Sequence, residues 1–264
     1  IIHIDTSIGI NNKPVSLNDS LERFYELFEH CNIFAKKNKK KVFFEIGTEE
    51  QSGTTNTPEE LNYTLHKIFS FCKKKKLDKP IFVVIQSGTK VAETRNIGSF
   101  ESPLRIENEL PVEIQLPKMI EICTKNKIFM KEHNADYLSN HSLSLHPRLG
   151  IHATNVAPEF GVEETKALIQ ILKEYRQTRF LEDFYEISYS SKKWKKWLVK
   201  DSKCNKIDKA VIAGHYVFSS EKFKILKNKI EKFLYKKNLN LDNYLQKRIE
   251  KSIMRYAKNF NLVK

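Results

Sequence analysis

Five short apolar runs, each closing on polar or glycine residues, alternate with stretches of helical period over the first 175 residues, and this alternation constrains the fold more than any other feature. The runs cover 1–5, 42–47, 81–86, 128–133 and 150–156, and their β-branched and aromatic content reads as strands. Between them, Asp19 or Ser20 caps a helix expected to bury Leu21, Phe24, Leu27, Phe28, Cys31 and Phe34. Thr57-Pro58-Glu59-Glu60 offers a cap, a proline at the first helical position and a glutamate at the third. That helix points Leu61, Leu65, Ile68 and Cys72 inward. A third is expected over 117–124, and a fourth over 163–175 with Ala167, Leu168, Ile171 and Leu172 inward.

Strands alternating with helices predict a parallel sheet with right-handed crossovers. Five strands do not close an eight-stranded barrel. The expectation is α/β: the C-terminal five βα units of a TIM (β/α) barrel, with about three N-terminal units missing. An open doubly wound sheet is the competitor. The chain has no GxGxxG or GxxxxGK[ST] loop, which weakens that competitor's nucleotide-binding forms, and no nucleotide cofactor is expected. Beyond residue 180 the pattern is helical. Trp194 and Trp197 fit an amphipathic helix with buried indoles, Ser220 caps a helix burying Phe223, Leu226, Ile230 and Phe233, and Asn240 or Asp242 starts one with Leu245, Ile249, Ile253 and Ala257 inward. The domain reading is a partial barrel over 1–178 and a basic helical appendage packed on it over 179–264.

Charge follows the same division. Residues 1–170 hold 22 basic and 22 acidic residues, so the net +14 comes from the last 94, with 24 basic and 10 acidic. Lysines alternating with an apolar period read as the solvent faces of helices, and nucleic acid is not an expected partner. No run of about 18 apolar residues is present, so no membrane span is expected, and residues 1–5 lack the features of a signal peptide. Cys31, Cys72, Cys123 and Cys204 are far apart and read as reduced thiols of a cytoplasmic protein.

Chemistry in such a barrel gathers at the C-terminal ends of the strands, and the polar residues fall there. Asp5 closes the first run, Glu45 and Glu49 bracket the end of the second, and Gln86 and Gly88 close the third. His133 and Asp136 follow the fourth, and Asn155 the fifth. Carboxylates and a histidine on one mouth suit a divalent metal, zinc or similar, that polarises a sugar carbonyl. His133 and Glu45 are the candidate ligands. Asp5, Glu49 and Asp136 are the candidate catalytic carboxylates, and Gln86, Gly88 and Asn155 the substrate-binding residues. His3 shares a face with Asp5 but, as a lone strand histidine, reads as packed. His141 and His146 read as surface histidines flanking a loop.

The same segments carry a family resemblance. His3-Ile4-Asp5-Thr6-Ser7, Glu45-Ile46-Gly47-Thr48-Glu49, Val84-Ile85-Gln86-Ser87-Gly88, His133-Asn134-Ala135-Asp136-Tyr137 and Val156-Ala157-Pro158 resemble, in order and separation, motifs of the non-catalytic subunit family of class II tagatose-bisphosphate aldolase. The resemblance implies a TIM barrel, a sugar-phosphate ligand, and a partner that is the catalytic aldolase subunit or a second copy of the chain. Ser87 and Asn155 stand where that family tends to have proline and lysine, which implies a divergent branch. The alternative functions are a metal-dependent aldolase or ketose-phosphate epimerase acting by itself, and an acidic-partner or nucleic-acid binder working through the basic C-terminal region.

Overall fold

The computed structural model describes residues 1–7, 15–47, 57–101 and 111–264. It divides into two compact units, one of residues 1–90, 97–135 and 144–155, the other of 91–96, 136–143 and 156–264.

The first unit is an α/β layer. Its strands are β1 (Ile2–Asp5), β2 (Phe44–Gly47) and β3 (Phe82–Ile85), then, past a short β4–β5 ribbon of the other unit (Val91–Ala92 and Arg95–Asn96), β6 (Phe129–Glu132) and β7 (Ala153–Thr154). The sheet order is β1-β2-β3-β6-β7, and every neighbouring pair is parallel. Each long strand coincides with an apolar run read from the sequence. The β4–β5 ribbon was not expected, since two residues per strand are too few to show alternation.

The connecting helices α1 (Leu17–Lys37), α2 (Pro58–Lys75) and α3 (Val112–Asn126) lie against one face of that sheet. Successive side chains of a strand point to opposite faces. Ile4, Phe44, Ile46, Val83, Ile85 and Met130 therefore meet Leu21, Phe24, Phe28, Leu65, Ile68 and Met119 in one core. The capping box forms as read: Thr57 Oγ1 accepts from Glu60 N–H, and the Glu60 carboxylate accepts from Thr57 N–H, each bond 3.0–3.2 Å long. Such a cap contributes about 1 kcal/mol.

Three details of these helices differ from expectation. Ser16, not Asp19 or Ser20, caps α1. Leu27 and Phe34 are exposed, because the inward stripe runs through Leu21, Phe24, Phe28 and Ala35. Pro117 marks no start, and α3 begins five residues earlier with the proline inside it.

The second unit is helical. Its α5 (Pro158–Glu174), α6 (Thr178–Ser190), α7 (Lys206–Ala213), α8 (Glu221–Tyr235) and α9 (Leu241–Asn259) surround Leu168, Ile171, Phe184, Phe223, Ile230 and Leu241. Ser220 and Asn240 cap α8 and α9 as expected. The inward face of α9 is Leu241, Leu245, Ser252 and Tyr256, while Ile253 is exposed. The two tryptophans lie on a short 3₁₀ turn, Lys193–Trp197, rather than on an α-helix. Their indoles are half-buried and donate to Tyr189 O and Tyr216 Oη. Many lysines here lie at exposed positions. Lys206, Lys224 and Lys227 pair with Glu186, Glu221 and Asp242, and Lys209 lies over Trp194. All four cysteines are free, and no described helix is long and apolar enough to cross a membrane.

Candidate functional site

The sheet face opposite the helices carries the charge. His3 on β1 and Glu45 on β2 are direct register partners, so their side chains emerge side by side. His3 Nδ1 lies 2.7 Å from Glu45 Oε1. Residue 47 must be small for this to happen. A Cβ there would stand 2.2 Å from His3 Cε1, so the imidazole occupies the space that glycine leaves open.

His133 arrives from the end of β6. Asn134 turns the chain with φ +63°, and the His133 carbonyl accepts a 2.5 Å hydrogen bond from Thr89 Oγ1. Its Nε2 comes within 3.9 Å of Glu45 Oε1, and its ring centroid within 5.1 Å of that of His3. One donor atom each of His3, Glu45 and His133 lies within 4.8 Å of the others.

Lys131 completes the group. Its register partner is Val84 on β3, with β2 one strand farther on. The backbones of β2 and β6 are therefore about 10 Å apart, a gap that a lysine and a glutamate span together. Nζ donates to both Glu45 oxygens, at 2.9 and 2.8 Å. Burial at 1% exposure drives the Glu45 carboxyl upward, but the neighbouring His133 and His3 imidazoles and the Lys131 ammonium outweigh it and hold the group well below the usual carboxylate range. Glu45 is thus a buried anion among three nitrogen groups.

This donor set fits a divalent cation. Two imidazoles and a carboxylate are the ligands zinc and related metals take, and tetrahedral geometry places ligand atoms roughly 3.3 Å apart. The 2.7 and 3.9 Å separations from Glu45 Oε1 bracket that spacing, and the three donor atoms lie within 4.8 Å of one another, so the two imidazoles would draw together to form a coordination triangle.

The sequence candidates divide clearly. Glu45 and His133 are brought together, and His3, read as a packed residue, joins them. Asp5 is exposed, and its carboxylate accepts from Ser7 N–H and Ser7 Oγ at 3.0 and 2.6 Å, a turn at the strand end. Glu49 lies outside the described residues. Gln86 is buried just past β3, where its carbonyl accepts from Gln115 Nε2. Gly88 has φ +84°, and its carbonyl accepts from Phe100 N–H. The exposed Asn155 holds its place by backbone bonds to Glu132 and Ala135.

Asp136 belongs to the second unit, where it accepts from the N–H groups of Ala157 and Glu159 at the start of α5. Burial raises its carboxyl to about 6 against those two bonds, and the Glu159 charge adds to the rise. Glu159 in turn accepts from Tyr256 Oη and Arg255 Nη2 of α9.

One expectation is reversed. His146 is not a surface histidine. It lies at 1% exposure in α4 (Asn140–Leu149), and its Nε2 pairs with Glu132, which also accepts from Ser87 Oγ. Glu132 alternates with Lys131, so it faces the helix side, where a carboxylate needs a buried donor. Pro147 hid the helix, since proline reads as a helix breaker. Lys131 was missed because its role depends on register across two strands.

Sequence comparison finds no matching family model and no matching curated protein. Solved structures do match in fold. A probable tagatose 6 phosphate kinase from Sinorhizobium meliloti 1021 superposes with TM-score 0.67 at 14% identity, covering 98% of this chain and 66% of its own. The fructuronate-tagaturonate epimerase UxaE from Cohnella laeviribosi, in a glycerol complex, superposes with TM-score 0.54 at 11% identity, covering 92% of this chain and 50% of its own. In native form it gives TM-score 0.53 at 10% identity, covering 98% and 55%. The chain thus spans half to two-thirds of the length of these proteins, and shares an α/β fold with them.

Proposed function

We propose that this chain carries the divalent-metal site of a carbohydrate enzyme, one that epimerises a sugar or sugar acid or cleaves a ketose phosphate next to its carbonyl. The observation that carries this reading is the convergence of His3, Glu45 and His133 on the sheet face opposite α1, α2 and α3. The sheet's strand order never reverses, which supports a segment of a (β/α) barrel over a doubly wound sheet. His133 stands just past the C-terminal end of β6, the side where barrel enzymes place their chemistry, while His3 and Glu45 lie within β1 and β2 beside it. The fold neighbours include an epimerase of sugar acids and a probable kinase of a sugar phosphate, which supports carbohydrate as the substrate class.

In this proposal His3, Glu45 and His133 hold the metal, which when bound supplies a Lewis acid for a substrate oxygen. Gly47 keeps the His3 ring in place, and Thr89 fixes the backbone of His133. Asp5, an exposed carboxylate at the mouth of β1 and on the same face as His3, is the group that exchanges a proton with substrate.

A second reading is that of a supporting subunit for a class II aldolase catalytic chain. Lys131 favours it: a lysine bonded to both Glu45 oxygens neutralises the carboxylate as a metal would. Metal analysis of the purified protein, beside its His133→Ala variant, decides between the two. Stoichiometric zinc, manganese or a similar ion, lost in the variant, together with turnover of a ketose phosphate or hexuronate, is the expected result. A metal-free protein that neither binds added ions nor turns over any such sugar would sink the enzyme reading and leave the supporting role.

A further inference from the structure

The two readings above meet at one side chain. Lys131 is on the metal-facing side of β6, and its side chain is 15% exposed. Both of its bonds within this group go to the one carboxylate that a metal would need. Glu45 Oε1, the atom nearest His3 and His133, is also a Lys131 acceptor. A dication entering the triangle would therefore meet a fixed positive charge on its own ligand, and like charges at such separation in a half-buried site repel strongly.

We propose that Lys131 is a built-in counter-ion of the site, which competes with the divalent metal for Glu45 and must leave the carboxylate when the metal arrives. This deepens the metal-site reading and rests on it. The carboxylate is compensated by an ammonium in one state and by the dication in the other, the displaced ammonium turning to solvent with its charge. The exchange keeps the buried Glu45 compensated at every stage, so an unpaired buried anion never has to form. It also makes Lys131 a positioning residue, acting through Glu45 rather than on substrate.

The direction of the effect separates this from a structural role. A lysine that only scaffolds the site would weaken metal binding when removed. A competing lysine strengthens it. The experiment is calorimetric titration of zinc and of manganese into the intact chain, its Lys131→Met and Lys131→Gln variants, and Lys131→Arg, with circular dichroism to verify folding. The expected result is affinity at least tenfold tighter than the parent in the two neutral variants, with Lys131→Arg staying near the parent because it keeps the charge. Equal or weaker binding in the folded neutral variants would overturn the proposal while leaving the metal site standing. If neither the parent nor any folded variant takes up either ion, the metal reading itself fails and the competition with it.

Discussion

Replacing Gly47 by alanine isolates the contribution of His3. The backbone there accepts a side chain, since the glycines with positive φ are Gly88 and Gly150 among the described residues. The new methyl would stand 2.2 Å from His3 Cε1 and 2.5 Å from Nε2, whereas carbon atoms pack at about 3.5–4.0 Å. The ring must retreat by more than about 1 Å, which breaks its 2.7 Å contact with Glu45. A strand glycine replaced by alanine gains roughly 0.5–1 kcal/mol. A lost charge-assisted bond costs roughly 1.5–3 kcal/mol, reduced here because the His3 side chain is 31% exposed. The balance is a destabilisation of about 1 kcal/mol, so the protein stays folded. On the proposed role of His3 as a ligand, metal affinity falls by tenfold or more. Zinc titration read beside the thermal melt tests this. Unchanged affinity in a folded Gly47→Ala protein would refute the assignment of His3 as a ligand.

Two other outcomes follow from buried carboxylates. Asp136 has its folded pKa raised to about 6 from an ordinary 3.8, so the folded state binds its proton more tightly than the unfolded chain does. Its contribution is fully present below about 4 and is lost as pH rises through about 6, amounting to about 3 kcal/mol at most. Thermal melts from pH 4 to 7 of the parent and Asp136→Asn will diverge over that window, and parallel curves would disprove it. The pH dependence of Glu45 has the opposite sign, but it is common to both proteins and cancels in the difference. At another buried carboxylate, His146→Leu strips Glu132 of its imidazole partner and costs roughly 3–5 kcal/mol in urea unfolding. Adding Glu132→Leu to that variant restores most of the loss, and a double variant as unstable as the single one would contradict the pairing.

The strands of the sheet were legible because each lies in a local run of apolar, largely β-branched or aromatic residues that closes on glycine or a polar residue, whereas the two-residue strands of the β4–β5 ribbon have no such run. The capping box at Thr57 was legible for the same reason, as all of its atoms come from one four-residue stretch. What sequence reasoning missed depends on neighbours far along the chain. His3 looked like an isolated strand histidine until β1 paired with β2 and set Glu45 beside it. Lys131 carried no motif, and its meaning comes from a register that skips a strand. Asp136 stood in one of the motifs of the resemblance, yet it serves the first turn of α5 in the second unit. Leu27 and Phe34 satisfied a helical period but flank the true stripe of α1, because a 21-residue helix offers more apolar positions than the sheet can cover.

The opposite orientation of neighbouring strand residues has a consequence for how such a protein can change over time. Ile4, Ile46 and Met130 answer to the helices, while His3, Glu45 and Lys131, each one position away, answer to the opposite face. A single-base change at His3, Glu45 or Lys131 alters the polar face and leaves the packing of Ile4, Ile46 and Met130 in place, and drift at those three core sites does the reverse. A lineage built this way can change the groups on its polar face while the architecture beneath them persists.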